Sequence, residues 1–298
     1  MTHAEGPVVA AVDHTPGARA TVRAAAIEAA RRRTPLRLVH VHRPVRRSWF
    51  AGPAATDLGT TTRWAAEDLL QAIGDLVPSC RVDTVVRTGH PAELLVDETV
   101  TSPLVVLGGR SGSPLTGVGS TAARVVAHAA GPVLVLPDED DRALVAGRSV
   151  VVGVSGGPGD EAVLQAAFEE ADARGCELVA VHTWIEPALE PTYQTISPLI
   201  DWDSVRDEEQ RLLAEALAGL QEKWPGTEVR PALIKQRPAP GLCGAASTAE
   251  LLVVGHRHHG RVPGLGSTTR SLLHQAPCPV LVVPVAGRSD HRTSEHTR

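Results

Sequence analysis

The chain carries one plan twice, and that repeat limits its possible folds more than any other feature. Val8-Val9-Ala10-Ala11-Val12-Asp13, a long Ala/Arg segment and Leu36-Arg37-Leu38-Val39-His40-Val41-His42 return as Val150-Val151-Val152-Gly153-Val154-Ser155, an Ala/Glu segment and Glu177-Leu178-Val179-Ala180-Val181-His182. Further on, Leu104-Val105-Val106-Leu107-Gly108 returns as Leu251-Leu252-Val253-Val254-Gly255. Gly119-Ser120-Thr121 returns as Gly266-Ser267-Thr268, 147 positions later. A period that long is no solenoid unit, so each half is expected to be a domain. The expected domains span 5–138 and 147–286. The acidic run Asp138-Glu139-Asp140-Asp141 links them, and a polar tail over 287–298 is expected to be disordered.

Within each half, short apolar runs alternate with helical patterns, as expected of strands buried on both faces of a parallel sheet. The predicted fold class is α/β: two tandem Rossmann-like, doubly wound domains, each with a five-stranded, mostly parallel sheet. Strands are predicted near 7–12, 36–42, 82–86, 104–107 and 132–136, then near 149–154, 177–182, 228–233, 251–254 and 279–283. Helices are predicted near 16–33, 62–76, 91–99 and 119–129. Ser204-Val205-Arg206-Asp207 is read as a capping box opening a further helix. The aperiodic stretches 43–61 and 185–203 are read as long loops. His40 and His42 are read as facing opposite sides of their strand, one of them as a packed or hydrogen-bonded histidine.

Composition narrows the function. Aromatic residues are 3% of the chain, so Val, Leu, Ile and Ala must build the core. The net charge of -5 and the single basic run Arg31-Arg32-Arg33 argue against nucleic acid as a partner. No apolar run is long enough to span a bilayer, and no basic leader precedes an apolar stretch, so no membrane partner and a cytoplasmic location are expected. Four cysteines without a C-x-x-C pair suggest free thiols.

The richest candidate site is the loop after the fourth strand, Gly108-Gly109-Arg110-Ser111-Gly112 through Gly117-Val118-Gly119-Ser120-Thr121. Glycines allow close backbone approach, and a helix opening at Gly119-Ser120 offers N–H groups and a positive dipole end to an anion. Together these features suit a phosphate.

This loop, Val-Asp at the first strand end, Val-His-Val at the second, Thr88-Gly89-His90-Pro91-Ala92 before the third helix and the Cys-Pro-Val-Leu-Val-Val-Pro last strand resemble the universal stress protein family. The resemblance covers nearly the whole chain, twice. It implies a nucleotide fold that binds ATP, with or without Mg2+, as a stress-response sensor. By that likeness Asp13 lies near the ribose, Val41 forms part of the adenine wall, and the backbone at His90 borders the base. Gly108, Arg110, Ser111, Gly112, Gly119, Ser120 and Thr121 then take the phosphates. Ser111 stands where the family has the second loop glycine, and the loop is two residues shorter than the family pattern. The resemblance also implies pairing along the last strand, met here by an intramolecular pseudo-dimer of the two halves, with a homodimer as a further assembly.

In the second half Ser155 replaces Asp13. Its loop offers Gly255, Arg257, His258, Gly266, Ser267 and Thr268, so the first half is expected to bind the nucleotide better. Ser155-Gly156-Gly157 also resembles an ATP pyrophosphatase loop, with Asp160 one place late. Without an evident base or metal ligand set, no catalytic residue is assigned, and at most slow ATP hydrolysis is expected. The other reading is a scaffold of the same fold that binds no nucleotide.

Overall fold

A computed structural model describes residues 6–13, 15, 17–42, 81–109, 119–137, 149–185, 201–257 and 264–285. The first half runs β1 (Val8–Val12), α1 (Ala18–Arg32), β2 (Leu36–His42), β3 (Val82–Thr88), α2 (Pro91–Thr101), β4 (Val105–Gly108), α3 (Ser120–His128) and β5 (Val133–Leu136). The second runs β6 (Ser149–Val154), α4 (Asp160–Arg174), β7 (Glu177–Trp184), α5 (Trp202–Lys223), β8 (Val229–Lys235), α6 (Pro238–Ala245), β9 (Leu251–Arg257), α7 (Ser267–Gln275) and β10 (Val280–Val285).

The apolar runs become strands because both of their faces are covered. Side chains alternate across a strand. Val8 and Ala10 therefore enter one core with α1, while Val9 enters the opposite one with α2 and α3. In the second half Val150 and Val152 pack on the α4 side and Val151 on the α6 side. Each fully buried Val or Leu contributes about 1.5–3 kcal/mol, which compensates for the scarcity of aromatic rings. Phe168 is one of the few rings in the core and stacks on Trp224 at 5.3 Å.

The ten strands form one sheet in the order β3-β2-β1-β4-β5-β10-β9-β6-β7-β8. Within each half every pairing is parallel. The halves join through the antiparallel pair β5–β10, where Leu134 lies opposite Leu281, flanked by Val135↔Val280 and Val133↔Val282. Leu134 and Leu281 are equivalent residues of the repeat, so a local two-fold axis passes between them. The same axis relates α1 to α4 behind the sheet. Arg174 meets Glu28, Arg32 meets Glu170, and each Glu also pairs with the Arg one turn on in its own helix.

Three sequence readings are corrected. The helix read as starting at Ser204 begins at Trp202: Asp201 is the N-cap, its carboxylate accepting from the Asp203 and Ser204 N–H groups at 3.2 and 3.3 Å. Ser204 sits inside the first turn and donates its hydroxyl to the same carboxylate. Residues 201–203, read as the end of a loop, are the cap and first turn of this helix, and 186–200 lie outside the described residues. His40 and His42 share a face, as residues two apart on a strand must, and their rings meet edge-on with centroids 4.5 Å apart. The predicted helix 62–76, the loop 43–61, the linker and the tail lie outside the described residues.

Candidate functional site

The winding of each half reverses beside its first strand, between β1 and β4 and between β6 and β9. A crevice at the carboxyl ends of the strands forms at such a point. One opens in each half: about 420 Å³ in the first and about 390 Å³ in the second.

In the first crevice the order β2-β1-β4 sets out three chemistries side by side. Val39, Val41, Pro91 and Leu95 form an apolar wall, Asp13 stands at the tip of β1, and Gly108, Gly119, Ser120 and Thr121 face them from β4 and the start of α3. Asp13 is exposed. Its Oδ1 accepts from the Thr15 N–H at 3.0 Å and from the Thr15 hydroxyl at 2.5 Å. Asp13 is among the residues that line the cavity. The glycine loop is tied at its neck, where the Gly119 N–H donates to the Gly109 carbonyl at 2.8 Å. Gly109 has to be glycine, since a Cβ there would lie 2.2 Å from the Leu136 carbonyl oxygen. α3 has no side-chain cap at Gly119, so the first turn presents its backbone donors to the cavity.

Asp13, Val41, Gly108, Gly119, Ser120 and Thr121 are thus brought together. His90 is the N-cap of α2 and sits just outside the lining; its neighbour Pro91 is the wall residue. Arg110, Ser111 and Gly112 lie outside the described residues.

The second crevice repeats the wall with Val181, Thr183, Pro238 and Leu242, and the helix start with Gly266, Ser267 and Thr268; Gly255 and Arg257 line it as well. His258 lies outside the described residues. The strand tip differs. The Asp160 carboxylate folds back into the turn after β6 and accepts from the N–H groups of Ser155, Gly156 and Gly157 at 2.9, 2.7 and 3.2 Å, and from the Ser155 hydroxyl at 2.8 Å. The three N–H groups of this turn therefore already hold an anion supplied by the chain itself. Arg257 reaches across from β9, its Nη2 donating to Ser155 Oγ at 2.6 Å.

The sequence reading placed Asp160 in this loop but missed that its carboxylate closes the turn, and it missed the Arg257–Ser155 link. Of the two histidines on β2, His40 is the packed, hydrogen-bonded one, and its counterpart in the second half was missed: Nδ1 of His40 meets the Val12 carbonyl at 2.7 Å, and Nδ1 of His182 meets the Val154 carbonyl at 2.9 Å. Each spans the same 28 positions and ties the second strand to the tip of the first. That repeated spacing was the available signal. His182 also meets Glu209 of α5 through Nε2, at 2.9 Å.

Among the described residues no three His, Cys, Asp or Glu side chains come together as a metal site. No helix among them is long and apolar enough to cross a membrane.

The model of the universal stress protein family matches the chain twice, over residues 6–137 and 147–284. A universal stress protein of Mycolicibacterium smegmatis is 34% identical over 291 residues, covering 93% of this chain and 96% of that protein. One from Mycobacterium tuberculosis is 30% identical over 292 residues, covering 92% and 95%. Among solved structures, a universal stress protein from Archaeoglobus fulgidus superposes with a TM-score of 0.67 at 16% identity, over 94% of this chain and 98% of that one. A protein of unknown function from Pseudomonas aeruginosa gives 0.64 at 14% identity, over 93% and 92%.

Proposed function

The chain belongs to the universal stress protein family, and from that premise we propose that it is an adenine-nucleotide-binding regulatory module of the cytoplasm whose principal site is the first crevice. The observation that carries this is the convergence there of an apolar wall, an acidic strand tip and an uncapped helix start, within a cavity of about 420 Å³. A base on Val39, Val41 and Pro91 leaves its sugar over Asp13 and its phosphates at Ser120 and Thr121. The helix start favours the negative end, and the Asp13 carboxylate accepts from ribose hydroxyls. ATP fits this order of groups. Since no carboxylate cluster accompanies the phosphate end among the described residues, Mg2+ would enter on the phosphates of ATP.

The two halves act as a pseudo-dimer within one chain, with the β5–β10 pair as its seam. The stress that the protein answers to is read through the occupied and empty states of the crevice.

The test is titration calorimetry on nucleotide-stripped protein with ATP, and with GTP and AMP for comparison. Saturable binding preferring ATP, lost in Gly119→Val, supports the reading. Silence at millimolar ATP would turn the assignment to a scaffold of the same fold.

A further inference from the structure

We propose that the seam between the halves is a selective dock: the first half accepts the second and rejects a copy of itself, and the second half does likewise. The strands at the seam do not choose. β5 and β10 set Val133, Leu134 and Val135 against Val282, Leu281 and Val280, so either strand would meet its own copy with the same apolar side chains. An edge of that kind pairs with any similar strand unless something beside it objects. The discrimination has to come from the charged groups behind the pair.

Two sets of charge lie there. The inner set is symmetric: Glu28 and Arg32 of α1 face Arg174 and Glu170 of α4, and a like pair of halves would rebuild the same alternation. The outer set is not. Arg31 of α1 reaches Glu250, just ahead of β9, at 2.7 Å, and the same Glu250 oxygen lies 3.1 Å from Arg174 Nε. The repeat puts Ala173 where Arg31 stands and Pro103 where Glu250 stands. The first half therefore brings a cation to the seam without the matching acid, and the second half brings the acid without the cation. In the seam as built, Arg31, Arg32 and Arg174 are balanced by Glu28, Glu170 and Glu250. Two first halves would bring Arg31 and Arg32 twice over against Glu28 twice, and two second halves Glu170 and Glu250 twice over against Arg174 twice. The side chains of Arg31 and Glu250 are only 28% and 15% exposed, so water would screen that surplus poorly. Unpaired like charge in such a contact is what turns a wrong partner away. The tether supplies the unlike half at high local concentration, and the charges deny the seam to the like half of a second chain. Both crevices then stay within one molecule.

The experiment inserts a protease recognition sequence between Asp140 and Asp141 of the full chain and cuts the folded protein there. The two pieces are left to exchange in urea below the unfolding midpoint and weighed by native mass spectrometry. Unlike pairs should be the only pairs found. In the double variant Arg31→Ala, Glu250→Ala, which keeps the symmetric set alone, like pairs should appear beside them. Like pairs at the frequency of random reassortment in the parent would overturn the inference. The uncut chain gives a second reading that needs no exchange. Arg31→Ala and Glu250→Ala should each lower the melting temperature by about 2 °C or more, and the two together by no more than either alone, because removing both restores the balance of charge. Losses that add would show that Arg31 and Glu250 do not recognise each other, and would overturn it as well.

Discussion

Glu28 on α1 and Arg174 on α4 meet across the seam between the halves, Oε1 to Nη2 at 2.5 Å, with side chains only 5% and 3% exposed. Their two-fold counterpart is Glu170 with Arg32, so the four charges close a ring behind the β5–β10 pair. Arg31–Glu250, at 2.7 Å, adds to one side of that ring only. Removing Glu28 takes a carboxylate from the buried Arg174 guanidinium, a change that costs about 3 kcal/mol or more. Glu28→Ala should therefore lower the urea unfolding free energy by about 3 kcal/mol. An unchanged midpoint would show that water already enters the seam.

The same ring makes stability depend on acid. Burial pushes the Glu28 carboxyl up, but the guanidinium groups of Arg174, Arg32 and Arg31 outweigh it and hold the group below its ordinary value. A depressed folded value means that the unfolded chain takes up the proton first. The stabilisation is complete above the ordinary carboxylate range and is lost as pH falls through the folded value. Urea midpoints should fall from about pH 5 downward, and less steeply in Glu28→Gln than in the parent. Parallel curves for the two proteins would remove Glu28 from the acid response.

The fold was legible where burial acts on both sides of a strand, because Val and Leu at every position have no other place to go. The seam was harder to see. Glu28 and Glu170, like Arg32 and Arg174, lie 142 positions apart, whereas the glycines of the later loops lie 147 apart. The ring emerges only when the halves are aligned with that five-residue difference. Asp201 was overlooked as a cap because Ser204 suggested a familiar pattern three residues on. In the site, glycines and a helix start can be read from spacing. Asp160 bending back onto Ser155, and Arg257 crossing from another strand, depend on side-chain paths that no local pattern encodes.

Two left-handed glycines should respond differently to the same substitution. Gly159 has φ +99°, and a Cβ there would lie 1.9 Å from Val285 Cγ1; Gly175 has φ +63° with open space around it. Gly175→Ala then bears only the backbone term of about 1 kcal/mol. Gly159→Ala adds displacement of a core side chain, for about 2 kcal/mol or more in total. Denaturant midpoints of the two variants test the order, and equal losses would show that Val285 moves aside freely.

Cys278 should resist modification in the native protein. Burial first, and the nearby Cys243 second, push its thiol up to about 12. At pH 8 the nucleophilic thiolate is scarce and the sulfur is enclosed. Peptide mapping after brief iodoacetamide treatment should find Cys278 unmodified in buffer and modified in urea. Labelling of Cys278 in native protein would mean that the last strand opens readily.

Asp160 offers a test of the inside anion. Its carboxylate neutralises three converging N–H groups at the start of α4, a geometry that otherwise attracts an anion from solution. Asp160→Ala should cost about 1–2 kcal/mol, because the donors lose a charged partner and the helix loses an acid near its positive end. An anion from solution should then replace part of what was removed. Millimolar sulfate should raise the melting temperature of Asp160→Ala by more than that of the parent, whose turn is already filled. Equal shifts in both proteins would mean that the turn collapses without Asp160, making the carboxylate the organiser of the loop and not merely its occupant.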